Sequence, residues 1–155
     1  MKEEHYQEEH EEMSELIRQY HALKSGKAHS FIEEDAFERL IEHFDEQDDL
    51  ATALEAAETG LEYFPYSSLL MIKYADLLIA SRKYIEALDI LEKAELYDSQ
   101  DINLFILKTD AYLALDRQEK AVEVLEEALL LFEGEERQDL LFELADVYDD
   151  YEEFD

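Results

Sequence analysis

Apolar residues recur at helical spacing through most of the chain. In FERLIEHF (37 to 44), Phe37, Leu40, Ile41 and Phe44 fall at i, i+3, i+4 and i+7, which puts them on one helix face. The same spacing marks LLMIKYADLLIA (69 to 80) and LFILKTDAYLAL (104 to 115). It also marks residues 4 to 24, where Met13, Leu16, Ile17, Tyr20 and Leu23 form a stripe that Tyr6 extends by one heptad. Three further segments follow the first kind in turn: LATALEAAETGLEYFP (50 to 65), YIEALDILEKAELYDS (84 to 99) and QEKAVEVLEEALLLFE (118 to 133). Polar stretches interrupt the pattern at DEQDD (45 to 49), SRK (81 to 83) and DRQ (116 to 118), and again at FPYSS, YDSQD and EGEE. Pro65 stands where a helix has to have ended. The predicted unit is helix, short turn, helix.

The second helices repeat with a period of 34 residues. Small residues fall in phase at Ala53, Ala87 and Ala121 and again at Gly60, Ala94 and Ala128, with Ala57, Leu91 and Leu125 between them. Small residues seven apart share a helix face and let a neighbouring helix come close. One helix pair cannot bury both of its faces, so successive pairs have to stack. With three glycines, one proline and a chain rich in Glu, Leu, Ala and Lys, an all-α fold is expected.

These features resemble the tetratricopeptide repeat, a family of helix pairs with the same period, small residues at positions eight, twenty and twenty-seven, and a large apolar residue at eleven. The matching residues here are Ile41, Ala53 and Gly60, then Ala75, Ala87 and Ala94, then Thr109, Ala121 and Ala128, with Phe44, Leu78 and Tyr112 at the eleventh position. Ile41 and Thr109 depart from the small-residue rule, and only the first repeat ends in proline. The resemblance implies a right-handed superhelical solenoid of antiparallel helix pairs with about three and a half repeats. Expected boundaries are 34–67, 68–101, 102–137 and a partial 138–155, after an N-terminal helix and linker over 1–33.

The N-terminal helix lacks the small-residue phase and is expected to cover the open end of the first repeat. SGKAHS (25 to 30) reads as its connection, and Ser30 with Glu33 resembles a capping box. At the other end, LADVYDDYEEFD aligns with the repeat if a shift of two residues is absorbed at EGEER. Ala145 then takes the eighth position, Tyr148 the eleventh and Phe154 the seventeenth. Leu140, Leu141, Leu144, Tyr148, Tyr151 and Phe154 carry more apolar surface than one packing face needs, so the chain is expected to be a fragment of a longer repeat protein.

Charge narrows the function. There are 43 Asp and Glu against 13 Lys and Arg, a net charge of −30 spread along the whole chain. Nucleic-acid and membrane partners are therefore not expected, because both surfaces are anionic. Nothing approaches the length of a signal or membrane-spanning segment, so a cytoplasmic protein is the expectation. With 47% apolar residues the chain can bury a real core despite this charge.

The chain is not expected to be an enzyme, nor to carry a cofactor or metal. His5 and His10 sit about 500° apart around a helix and so on different faces. DEQDDL lacks the glycine of a calcium loop. There is no cysteine, no glycine-rich phosphate loop and no nucleophile elbow.

What the resemblance implies instead is a groove lined by the first helix of each pair. Its ninth positions would be Glu42, Asp76, Asp110 and Asp146, a ladder of carboxylates, and Ile72, Ile79, Ile106 and Leu113 would form an apolar strip beside it. The expected role is a scaffold binding a protein or peptide with apolar and basic residues. The alternative is a self-association module, a homodimer closed through the groove or the open C-terminal helix. Members of the family that grip acidic chaperone tails do so with Lys and Asn, whereas here Glu38 and Glu42 stand at those positions and Leu107 where an Arg is wanted. The helix from Leu69 to Ala80 is apolar nearly all round, which predicts that it is covered on most sides.

Overall fold

The computed structural model describes residues 2–27 and 31–153, with side chains described as far as residue 149. Among the described residues there are eight α-helices and no strand: α1 (Lys2–Lys24), α2 (Glu34–Glu46), α3 (Leu50–Tyr63), α4 (Ser68–Ala80), α5 (Tyr84–Tyr97), α6 (Ile102–Ala114), α7 (Gln118–Leu129) and α8 (Gly134–Glu153). The chain forms two compact units that divide between Pro65 and Tyr66.

The turns inside the helix pairs are made by main chain. Asp48, Arg82 and Asp116 occupy the left-handed region at φ 57°, 63° and 60°. Each is followed by a residue whose N–H donates back across the corner, Asp49 to the Phe44 carbonyl, Lys83 to Leu78 and Arg117 to Tyr112, at 2.8 to 2.9 Å. This is the Schellman closure, which satisfies carbonyls that a helix end would otherwise leave bare. Glycine normally supplies the left-handed residue, and α1 ends that way, with Gly26 at φ 75° and the Lys27 N–H bonded to the Ala22 carbonyl.

Helix starts are marked by side chains at three places. Asp49, Ser67 and Asp101 accept from the N–H groups of Thr52, Leu70 and Asn103, as N-caps do. The Thr52 bonds also hold the Asp49 carboxyl below its ordinary range. Ser30 lies outside the described residues, and α2 begins at Glu34 with Glu33 itself as N-cap and no side-chain cap bond. A glutamate side chain is a poor N-cap, so the first turn of α2 relies on the acids Glu34 and Asp35 near its positive end.

In the first unit, Phe37, Leu40 and Ile41 of α2 are buried with Ala53, Ala56, Ala57 and Gly60 of α3. The small α3 face is what lets the two backbones approach. α1 packs on this pair through Leu16, Tyr20 and Leu23. Tyr20 is fully buried against Phe44, with ring centroids 6.1 Å apart, and its hydroxyl donates to Glu55 Oε1 at 3.2 Å. Lys24 also pairs with Glu55, and Arg39 of α2 reaches Glu12 at 3.5 Å. Burial raises the Tyr20 hydroxyl pKa, against a hydrogen bond with Thr59 and with help from Glu58.

In the second unit, α4 pairs with α5, α6 with α7, and α8 packs on α7. Six residues of α4 are buried, as its all-round apolar character predicts. Ala75 of α4 is buried as are Ala87 and Ala94 of α5, and Thr109 of α6 as are Ala121 and Ala128 of α7. Thr109 departs from the small-residue rule without strain, because its hydroxyl donates to the Phe105 carbonyl one turn back at 2.8 Å. Lys108 bridges α6 to α5 through Glu95 at 2.5 Å, and Phe105 meets Phe132 edge-on.

Candidate functional site

The expected groove residues that can be read together are those of the second unit. Ile72 and Ile79 of α4 are seven residues apart, as are Ile106 and Leu113 of α6, and in each helix an Asp follows the first of them by four. That spacing aligns Asp76 and Asp110 with their apolar neighbours on one helix face. α4 and α6 pack on each other, so the two faces adjoin. Asp76 and Asp110 are exposed, while Ile79, Ile106 and Leu113 are half-buried.

Two expected members behave differently. Ile72 is only 8% exposed, so it belongs to the core of α4 and offers no surface to a ligand. Asp146 of α8 is exposed, but the α8 carboxylate that acts on Asp110 is Glu143. Asp110 is exposed at its edge but its carboxyl is partly desolvated, and this partial burial raises it above its usual range first, then the charge of Glu143, then that of Asp76. The charges of acids on α4 and α8 are therefore felt at Asp110 on α6. Glu143 was missed because the register blurs at EGEER; the available signal was its place one turn before Asp146.

Glu42 belongs to the first unit and is exposed. It lines an open cleft of about 520 Å³ between α1 and α2, together with Tyr6, Glu9, Met13 and Glu46. A second open cleft, of about 380 Å³, lies between α7 and α8, with Val122, Val147 and Tyr148 as its apolar walls and Gln118, Glu119 and Glu123 at its rim. Neither cleft was legible as such in the sequence, since each depends on how two helices splay. Among the described residues no helix is long and apolar enough to cross a membrane.

No family model matches the chain. No curated protein matches it at a significant level. Solved structures do. The first TPR domain of Spaghetti (RPAP3), bound to the HSP90 peptide SRMEEVD, has a TM-score of 0.66 and 18% identity over 76% of this chain and 92% of that one. A thermophilic TPR protein of Thermus thermophilus has a TM-score of 0.67 and 20% identity over 88% of this chain and 72% of that one. The TPR2AB domain of yeast Sti1, in its HSP90 complex, has a TM-score of 0.68 and 18% identity over 88% and 54%. At these identities the likeness establishes the fold.

Proposed function

We propose that this chain, folded as a tetratricopeptide-repeat domain, is a protein-interaction scaffold that binds a peptide segment on the face formed by α4, α6 and α8. The observation that carries this reading is the pairing of α4 with α6, which sets the exposed Asp76 and Asp110 beside the half-buried Ile79, Ile106 and Leu113, with the charges of Glu143 and Asp76 acting on the Asp110 carboxyl. Mutually repelling carboxylates held together on a surface are relieved by a cation, and the apolar side chains next to them gain by being covered. A ligand with Lys or Arg beside an apolar anchor meets both needs. Its anchors supply most of the affinity, and the acids set encounter rate and selectivity.

The structural neighbours from Spaghetti and Sti1 support peptide binding as a use of the fold, and their HSP90 ligands mark a contrast. The peptide SRMEEVD ends in acidic residues. On this chain it would face Asp76, Asp110 and Glu143, so the charge sign selects a different ligand.

A peptide array probed at low and physiological salt tests the proposal. Basic-apolar peptides are expected to bind, weakening with salt, and Asp76→Lys with Asp110→Lys is expected to reduce binding about tenfold or more. No preference for such peptides, or no effect of the double substitution, overturns it. A mass that rises with concentration in light scattering and is blocked by the same substitutions would assign this face to self-association instead.

A further inference from the structure

Tyr66 and Tyr97, in the middle of the chain, form an aromatic pair that stays open to solvent. Tyr97 is the last residue of α5, and Tyr66 stands just before Ser67, the N-cap of α4. A short turn joins α4 to α5 and the two pack as a pair, so the start of α4 lies beside the end of α5. The two ring centroids are 5.5 Å apart at 54°, yet Tyr66 is 71% exposed and Tyr97 51%.

This opening belongs to the repeat and not to an end of the chain. The thirtieth repeat position holds Tyr63, Tyr97 and Leu131, and each is about half exposed. Tyr63 stacks on the buried Phe37, with ring centroids 6.3 Å apart. Tyr97 packs instead on a second exposed ring. Two rings that hold each other in place are a preorganised contact, because little side-chain freedom remains to be lost when a ligand covers them.

The charge around the pair selects the ligand. The face of a tyrosine ring is electron-rich and attracts a cation. Asp98 follows Tyr97 directly, and Asp101 stands in the same turn. Each holds the turn through one oxygen, Asp98 Oδ1 accepting from the Gln100 N–H and Asp101 Oδ1 from the Asn103 N–H, both at 2.9 Å. Their negative charge stays at this end of α5, against one base, the exposed Lys93 one turn before Tyr97. A nucleobase would also stack on such rings, but its phosphates would meet a net charge of −30, and a second copy would bring the same charge again. We infer that the Tyr66–Tyr97 pair is a docking site for an arginine side chain of a partner protein, its guanidinium lying on the rings beside Asp98 and Asp101. Arginine suits the site better than lysine because its planar, weakly hydrated group stacks on aromatic faces. Asp76 and Asp110 lie about two turns along α4 and α6 from this end, so the site is separate from the face proposed for peptide binding.

The probe is the peptide acetyl-Gly-Arg-Gly-amide, titrated into the full chain and followed through the tyrosine ring signals by NMR. Saturable shifts at Tyr66 and Tyr97 are expected, with a Kd on the order of 1 mM. Tyr66→Ala or Tyr97→Ala should weaken binding about fivefold, read on the ring that remains, while Tyr97→Phe and Asp110→Lys should leave it nearly unchanged. Both tyrosines are exposed, and circular dichroism checks that the alanine variants keep their helix content. No shift at these rings, shifts spread evenly over all tyrosines, or an equal response to the lysine or leucine analogue of the peptide overturns the inference. So does a concentration-dependent dimer that Tyr97→Ala dissolves, which would give the rings to a second copy.

Discussion

Asp110 is the residue whose environment most clearly disagrees with its charge. Its folded pKa is raised, so the fold favours the protonated form. The stability tied to that proton is present at low pH and is lost as pH rises through the folded pKa; at neutral pH the ionised carboxylate is a net burden. Asp110→Asn is therefore expected to raise the unfolding midpoint at pH 7 by about 1–2 °C, corresponding to about 0.5 kcal/mol once screening at its exposed edge is allowed for. The gain should shrink to nothing below about pH 4, where ordinary aspartates are protonated. A gain that persists in acid would mean the substitution acts through packing instead. The Ile72, Asp76 and Ile79 triplet shows what a sequence can and cannot reveal here. Spacing placed all three on one face, but Ile72 is buried because α4 is surrounded on most sides, and no spacing rule separates a covered face from an open one.

At the scale of elements, α1 depends on few contacts for its length. Its first residues are exposed, and only Leu16, Tyr20 and Leu23 are fully engaged. Tyr20→Ala is expected to destabilise the first unit by about 3 kcal/mol, because a large buried ring is lost. Tyr20→Phe keeps the ring, gives up the hydroxyl's bonds to Glu55 and Thr59, and should cost about 1–2 kcal/mol. Trypsin reads the difference: cleavage after Arg18 and Lys24 should be much faster in the alanine variant than in the phenylalanine one. Equal rates would show that the Tyr20 ring does not anchor α1. The first seven helices were legible from periodicity, with ends displaced by a few residues, whereas α8 starts inside EGEE and runs unbroken to Glu153, through the positions where the repeat alignment expected a turn. Less legible was the start of α2, where Ser30 of the expected capping box lies outside the described residues and Glu33 stands as N-cap without a side-chain bond. In α8 the buried Val147 was overlooked, because it falls between the apolar positions that the repeat alignment singles out and stands among aspartates.

For the whole molecule, the excess of carboxylates sets how stability responds to salt. At a net charge of −30 the folded chain concentrates repulsion that an expanded chain relieves. Raising sodium chloride from about 0.01 M to about 0.1 M shortens the screening length from about 30 Å to about 10 Å. The unfolding midpoint should rise by about 3 °C or more, a change on the order of 1 kcal/mol for a chain of this size. A flat or falling midpoint would mean that attractive pairs such as Lys108 with Glu95 outweigh the repulsion. The main-chain corners at Asp48, Arg82 and Asp116 bear on how such a chain can change length. Because each corner closes through backbone groups alone, a duplicated segment joined there needs no new side chains to make its turn. One residue more or fewer inside a helix rotates the rest of that helix's apolar positions by about 100°, whereas a polar turn can take up a shift, as EGEER does. Growth or loss by gene duplication therefore breaks most cheaply at the turns, and a single-residue slip inside a helix is far more damaging than the insertion of an entire pair.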